Sequence, residues 1–363
     1  MKKLNIVIFG LSITSSWGNG HATTFRSLIK ALAKRGHNIT FFEKDVPWYA
    51  AHRDLARPPS CQTHLYKTVE EIDQHKDFLA GADLIILGSY VADAKAIAEK
   101  IISVEPPCFA FYDIDTPVTL AKLDNNDYEY LHPEMIPQFD LYLSFTGGPI
   151  LNRLEKEYGA QKARPLYCSV DPLLYHGNAD STPKKYALGY LGTYSDDRQP
   201  TVNNLLIETA RKLPEQHFVV AGAQYPSDID WPENTEIIEH IPPHQHSHFY
   251  NSQQFTLNVT RRDMINAGYS PSVRLFEAGA CATPIISDYW DGLNSFFNIG
   301  EEILVAKNSA EVMEYLHMPE SDRLAIGERI RKKVLNHHTS AHRAAEIENY
   351  WLEIIAPAMV VNV

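Results

Sequence analysis

Arg274 and Glu277 stand three residues apart in SPSVRLFEAGACATPIISD, the otherwise apolar stretch from Ser270 to Asp288. Charged side chains are rarely buried unless they are paired or put to use. Pro271 and Ser272 mark a helix start, which places Arg274 and Glu277 on one face near its beginning. A helix N-terminus offers free N–H groups and a partial positive charge, and so suits a diphosphate. A carboxylate one turn further in accepts two hydrogen bonds, the chemistry that holds both hydroxyls of a ribose. The alternative is an intrahelical Arg–Glu pair on a solvated face, worth only about 0.2–0.5 kcal/mol.

More cations follow the same logic. GTYSDDRQP puts Gly192, Thr193 and Arg198 after one strand pattern, and NVTRRDM puts Arg261 and Arg262 after another. Guanidinium groups bind phosphate in a planar, bidentate way that lysine cannot copy. Arg198, Arg261 and the Arg274 helix are expected to open on one edge of one sheet and form a phosphate site. Elsewhere, FYDIDTP offers Asp113 and Asp115 at a strand end. They read as a base or hydroxyl anchor, as an Asp-x-Asp site for Mg or Mn, or as the cap of a helix whose first turn holds Pro117. GNGHAT, Gly18 to Thr23, lacks the third glycine of a dinucleotide fingerprint, which would fall at Thr23. It reads as a loop presenting His21 and backbone amides, or as an ordinary turn. His244, His246 and His248 alternate beside two prolines with no cysteine near, the pattern of a polar helix start more than of a metal site. Arg26, Lys30 and Lys34 make a basic stripe on the first helix, a solvated face or a contact to a membrane surface.

The elements that must position these residues alternate. Leu4 to Phe9 is an apolar, β-branched run, followed by a helix with Phe25, Leu28, Ile29 and Leu32 at helical spacing, a stop at Gly36, and a strand from Ile39 to Phe42. The unit recurs through ADLIILG, CFAFY and FDLYLSF, pauses at ARPLYCSVDPLLYH, and restarts with YALGYLG and a helix from Pro200 to Leu213. HFVVAG, TEIIEH, FTLNVT, TPIIS and EILVA supply the later strands. This predicts an α/β protein of two doubly wound, Rossmann-like domains facing each other across a cleft, with ligands beyond the carboxyl ends of the strands.

Bulk properties narrow the class. The chain's 363 residues exceed the size at which one core stops growing, so two domains are expected. No stretch approaches the ~20 apolar residues of a membrane span, and the apolar run after the basic Met1 to Lys3 ends at Gly10, too soon for a secretory signal. Cys61, Cys108, Cys168 and Cys281 lie far apart without metal-ligand spacing, which fits reduced thiols in a cytoplasm. A net charge of -12 argues against nucleic acid as the main partner, while a local basic pocket can still take a small anion.

The chain resembles the glycosyltransferases of the two-domain GT-B type, and in particular the CgeB-like branch (relatives of spore maturation protein CgeB) of the group-one transferases. PLYCSVDPLLY, LGTYSDDRQP, LNVTRRDM, SVRLFEAGACATPIISD and GEEILVA carry the resemblance, which spans nearly the whole chain. It implies sugar transfer from a nucleoside diphosphate sugar, a uridine diphosphate sugar favoured, to a saccharide, protein or small-molecule acceptor. Residues 1–170 would form the acceptor-side domain and 171–338 the donor domain, with the helix in 339–363 packing back on the first. Glu277 would take the ribose, the Ser272 and Val273 amides with Arg198 and Arg261 the diphosphate, and backbone near His240 and Ile241 the base. The acceptor hydroxyl would enter near His21 and Asp113 or Asp115. With arginines and a helix terminus already in place for the leaving diphosphate, neither metal nor cofactor is expected. The departures from the family are Tyr269, where many members carry a second Glu for the donor sugar, and Ala282, where a glycine is usual. They leave two alternatives: a non-catalytic sugar-nucleotide binder, or a same-fold epimerase or hydrolase.

Overall fold

The structure is a computed structural model and describes residues 2–18, 20–177 and 184–361; Asn19 of the Gly18–Thr23 stretch lies outside them. The chain divides into two compact units, Met1–Cys168 with Ser340–Val363, and Ser169–Thr339.

The first unit is built on strands β1 (Asn5–Gly10), β2 (Asn38–Lys44), β3 (Gln62–Tyr66), β4 (Leu84–Gly88), β5 (Phe109–Asp113), β6 (Leu141–Ser144) and β7 (Ala163–Pro165). All pair in parallel, in the order β3-β2-β1-β4-β5-β6-β7. The second unit holds β8 (Tyr186–Leu191), β9 (Phe218–Ala221), β10 (Thr235–Ile238), β11 (Gln253–Asn258), β12 (Ile285–Ser287) and β13 (Leu304–Val305), again all parallel, in the order β10-β9-β8-β11-β12-β13. Central strands such as LIILG and FAFYD are buried along their whole length, which is why they read as unbroken apolar runs. Sheet order reverses between β1 and β4 and between β8 and β11. Those are the switch points where the chain parts and leaves room for a ligand.

One helix in each unit ends on the same backbone motif. The helix His21–Lys34 buries Phe25, Leu28, Ile29 and Leu32, then stops where Gly36 takes φ +95 and the N–H groups of Gly36 and His37 return to the carbonyls of Ala33 and Leu32. The helix Val273–Ala280 stops in the same way, with Ala282 and Thr283 returning to Gly279 and Ala278, but here the left-handed position (φ +56) is filled by an alanine. A left-handed L-residue costs about 1–2 kcal/mol, of which a glycine recovers all but its own ~0.5–1 kcal/mol of extra chain entropy. Ala282→Gly is therefore expected to stabilise the protein by roughly 0.5–1 kcal/mol, read as a rise in the urea midpoint. A lowered midpoint would mean the surrounding packing depends on the methyl group.

The final helix, Ser340–Val361, belongs to the first unit although the chain reaches it only after completing the second. Ile347 and Trp351 are fully buried, and Tyr350, Ile354 and Ile355 pack on the same cluster as Phe25, Leu28 and Ile29. The Trp351 indole N–H donates to Asp83 O at 3.0 Å, and Glu348, buried, sits 2.7 Å from His37 Nε2 and pairs with Arg35. Among the described residues no helix is long and apolar enough to cross a membrane, and all four cysteines are free thiols.

Candidate functional site

In the second unit the singled-out residues gather at the carboxyl ends of the strands. Gly192 and Thr193 follow β8, His240 and Ile241 follow β10, Arg261 follows β11, and the helix Val273–Ala280 begins beside them. Ser272 occupies the N-cap in extended conformation, yet its hydroxyl donates to Asn258 Oδ1 at 2.8 Å, so no side chain caps the first turn. The helix keeps its terminal field for something else.

Arg274 and Glu277 are both buried and do not face water as a pair. Arg274 donates through Nε to Leu191 O (2.6 Å) and through Nη1 to Asn258 Oδ1 (2.9 Å), and stacks over the Tyr190 ring at 4.9 Å. It thereby ties together the ends of β8 and β11, the two strands at the switch point. The solvated Arg–Glu pair is overturned: burial and separate partners hold each residue on its own.

Arg198 opens the helical run Gln199–Lys212, which passes through a π turn at Asn203–Ile207. Its Nη2 donates to Thr193 O at 2.5 Å, while its Nε is buried with no hydrogen-bond partner among the described residues. Burial first, then the like charges of Arg274 and Arg261, lower its affinity for the proton. Three guanidinium groups thus lie within each other's field, and Arg198 and Arg274 donate to carbonyl and amide oxygens instead of carboxylates. The nearby acids are occupied: Asp288 accepts from Thr260 N (2.9 Å) and Oγ1 (2.7 Å), and Asp197 from Arg262 N (2.7 Å). Like charges held this close repel, and a bound anion would relieve that repulsion. Close packing requires both Gly192 and Gly222: a Cβ on Gly192 would fall 2.7 Å from Tyr190 Oη and 2.9 Å from Arg274 Nη2, and one on Gly222 2.0 Å from Gly192 O.

Glu277 accepts from Tyr250 Oη at 3.1 Å, and His246 Nδ1 lies 4.0 Å from the same oxygen. Ile241 is buried and its carbonyl is 3.0 Å from His246 Nε2; His240 is exposed. Tyr269, in the position where a carboxylate is common, takes φ +47 directly after Gly268 at φ +64, and its N–H donates to Asp291 O.

In the first unit, His21 begins its helix at the carboxyl end of the sheet. Burial lowers its pKa to about 4, so the ring is neutral, and Nδ1 is buried without a hydrogen-bond partner among the described residues. The ring meets Tyr90 edge-on at 5.3 Å, and Tyr90 donates to Asp115 Oδ2 at 3.3 Å. These three form one cluster. Asp113 lies behind it, its Oδ1 accepting from Asp115 N at 3.3 Å. It is wholly buried, its Oδ2 accepting from Tyr142 Oη (2.6 Å) and its Oδ1 from Thr119 Oγ1 (2.7 Å), and burial raises its pKa to about 6. The expectation that Asp113 faces a ligand is therefore corrected: it braces β5 against β6 and the helix Thr116–Asp124. Asp115 is the N-cap residue of that helix, but its side chain makes no capping bond. In the basic stripe, Arg26 is engaged by Asp54 in two bonds of 2.8 Å. The His244–His248 run starts the helix His246–Asn251.

Residues 198–349 match a family model described as glycosyl transferase-like. No curated protein matches the chain. Among solved structures, a sucrose-phosphate synthase from Thermosynechococcus elongatus is similar over 98% of this chain and 100% of its own, at 13% identity and a TM-score of 0.68. Anabaena HepE, solved with UDP and glucose, is similar over 95% and 98%, at 11% identity and 0.69. An alpha-glucosyltransferase solved with UDP and a 13-mer DNA is similar over 96% and 100%, at 15% and 0.68. The chain has the GT-B fold of these enzymes, and its second unit carries the glycosyl transferase-like sequence.

Proposed function

We propose that the protein transfers a sugar from a nucleoside diphosphate sugar, with uridine the favoured base, to an acceptor hydroxyl, and that it does so as a CgeB-like glycosyltransferase without a metal. The observation that carries the reading is the convergence of Arg198, Arg261 and Arg274 near the start of the helix Val273–Ala280, with a buried N–H on Arg198 that has no partner among the described residues. As the glycosidic bond breaks, its electron pair leaves with the diphosphate, and cations fixed beforehand stabilise that charge without having to move. Ser272 and Val273 supply backbone N–H groups to the same phosphates. Glu277 holds the ribose, and backbone at His240 and Ile241 meets the base. In the first unit His21, neutral, and Asp115 meet the acceptor, whether saccharide, protein or small molecule; Asp115 is the group placed to take its proton. The protein works in the cytoplasm, where its thiols stay reduced.

The test is nucleotide release from UDP-sugars with and without acceptor, in EDTA. Release that needs acceptor and survives the chelator is expected. Loss of turnover in EDTA, restored by Mn or Mg, would require a metal and end the metal-free mechanism. Release without acceptor would mark an epimerase or hydrolase, and binding without release a sugar-nucleotide binder.

A further inference from the structure

His246 touches both points that read the nucleoside and neither of the side chains that gather around the diphosphate. Its Nε2 lies 3.0 Å from Ile241 O, and its Nδ1 lies 3.2 Å from Tyr175 Oη and 4.0 Å from Glu277 Oε2. A carbonyl oxygen only accepts, so Nε2 carries a proton, while Tyr175 Oη stands between Nδ1 and Glu277, with which it also shares a hydrogen bond. His246 also opens the helix His246–Asn251, which carries Tyr250 one turn later on the same face. That turn delivers the ring of His246 and the hydroxyl of Tyr250 to one carboxylate. Tyr175 is fully buried, so the ring's third anchor has no freedom to wander.

We propose that His246 is a positioning residue that couples base recognition to ribose recognition. It fixes the backbone at Ile241 through Nε2 and, through Tyr175 and its own placement beside Glu277, fixes the carboxylate. The proposal rests on the reading that Glu277 and Ile241 hold a nucleoside. Without the imidazole, the Ile241 carbonyl loses its donor and the two recognition points drift independently. The consequence falls on the nucleoside, whereas the arginines keep their own anchors at Leu191, Asn258 and Thr193.

Calorimetric titration of UDP, GDP and ADP into the full chain, with melting points alongside, tests this. Wild type is expected to prefer one base. His246→Ala should weaken that nucleotide about 3- to 10-fold, the size of one or two lost hydrogen bonds, and the others less, so that the preference narrows. His246→Gln should recover most of it, because its amide can donate to Ile241 as the imidazole does. A general loss of structure would weaken all three alike, and Gln would not restore the preference. A folded His246→Ala with an unchanged base preference overturns the proposal, as does a wild type that binds all three equally. Should His246→Ala fail to fold, Tyr175→Phe frees Nδ1 while leaving the ring, and unchanged base preference there overturns it too. A wild type that binds none of the three overturns the glycosyltransferase reading itself, and this proposal with it.

Discussion

A chain ending before Ser340 is expected to be insoluble, or to unfold at temperatures where the full chain is native. The helix Ser340–Val361 buries Ile347 and Trp351 completely and Tyr350, Ile354 and Ile355 in part. Burying a large apolar side chain contributes ~1.5–3 kcal/mol, so these five together supply roughly 7–10 kcal/mol, counting the partly covered ones at the low end. The whole stability of a native protein is only ~5–15 kcal/mol. Truncation also bares the cluster of Phe25, Leu28 and Ile29 beneath, and leaves buried His37 without Glu348. The soluble fraction on expression and the urea midpoint of the truncated chain measure the effect. A truncated protein that is soluble and unfolds with the full-length midpoint would show that the contact contributes little.

The packing of that helix on the first unit was expected from the resemblance, not from a local pattern. Apolar patterning located the central strands, where burial on both faces imposes an unbroken apolar run. It missed the edge strand β3, whose QTHLY has one buried residue and hence no run to see. It also passed over β7, three residues inside a stretch that reads as a pause. Arg198, Arg261, Arg274 and Glu277 were singled out from residue type beside a helix start or strand end, and the fold brings the three arginines within each other's field. Asp113 was misread for a definite reason. A carboxylate at a strand end faces outward or inward according to what meets it, and Tyr142 and Thr119 belong to other elements, so no local pattern announces them. His246 was hidden likewise: HQHSH shows spacing, while the partners Ile241 and Tyr175 are a matter of the fold. Tyr250 carries no motif beyond lying four residues after His246.

Glu277→Gln is expected to lose donor binding by one to two orders of magnitude while the fold persists. Glutamine has the size of glutamate and keeps one oxygen to accept the Tyr250 hydroxyl, so the buried position stays filled and bonded. It loses the charge and the second acceptor, which are what two ribose hydroxyls need. Hydrogen bonds to a charged group are worth ~1.5–3 kcal/mol, or about 10- to 100-fold in affinity. Arg274→Ala is a less selective probe, because that guanidinium also braces the ends of β8 and β11, and its removal takes stability and binding together.

The most direct test of donor binding at this edge of the second unit is therefore one calorimetric experiment, UDP titrated into wild type and Glu277→Gln, with the melting point of each unliganded protein recorded. The predicted result is saturable binding to wild type, weakened about 10- to 100-fold in the variant, with melting points close together. Equal affinity in the two proteins would make Glu277 a structural carboxylate serving Tyr250 and Tyr175, and would contradict the assignment of the ribose, and with it the site, to this helix.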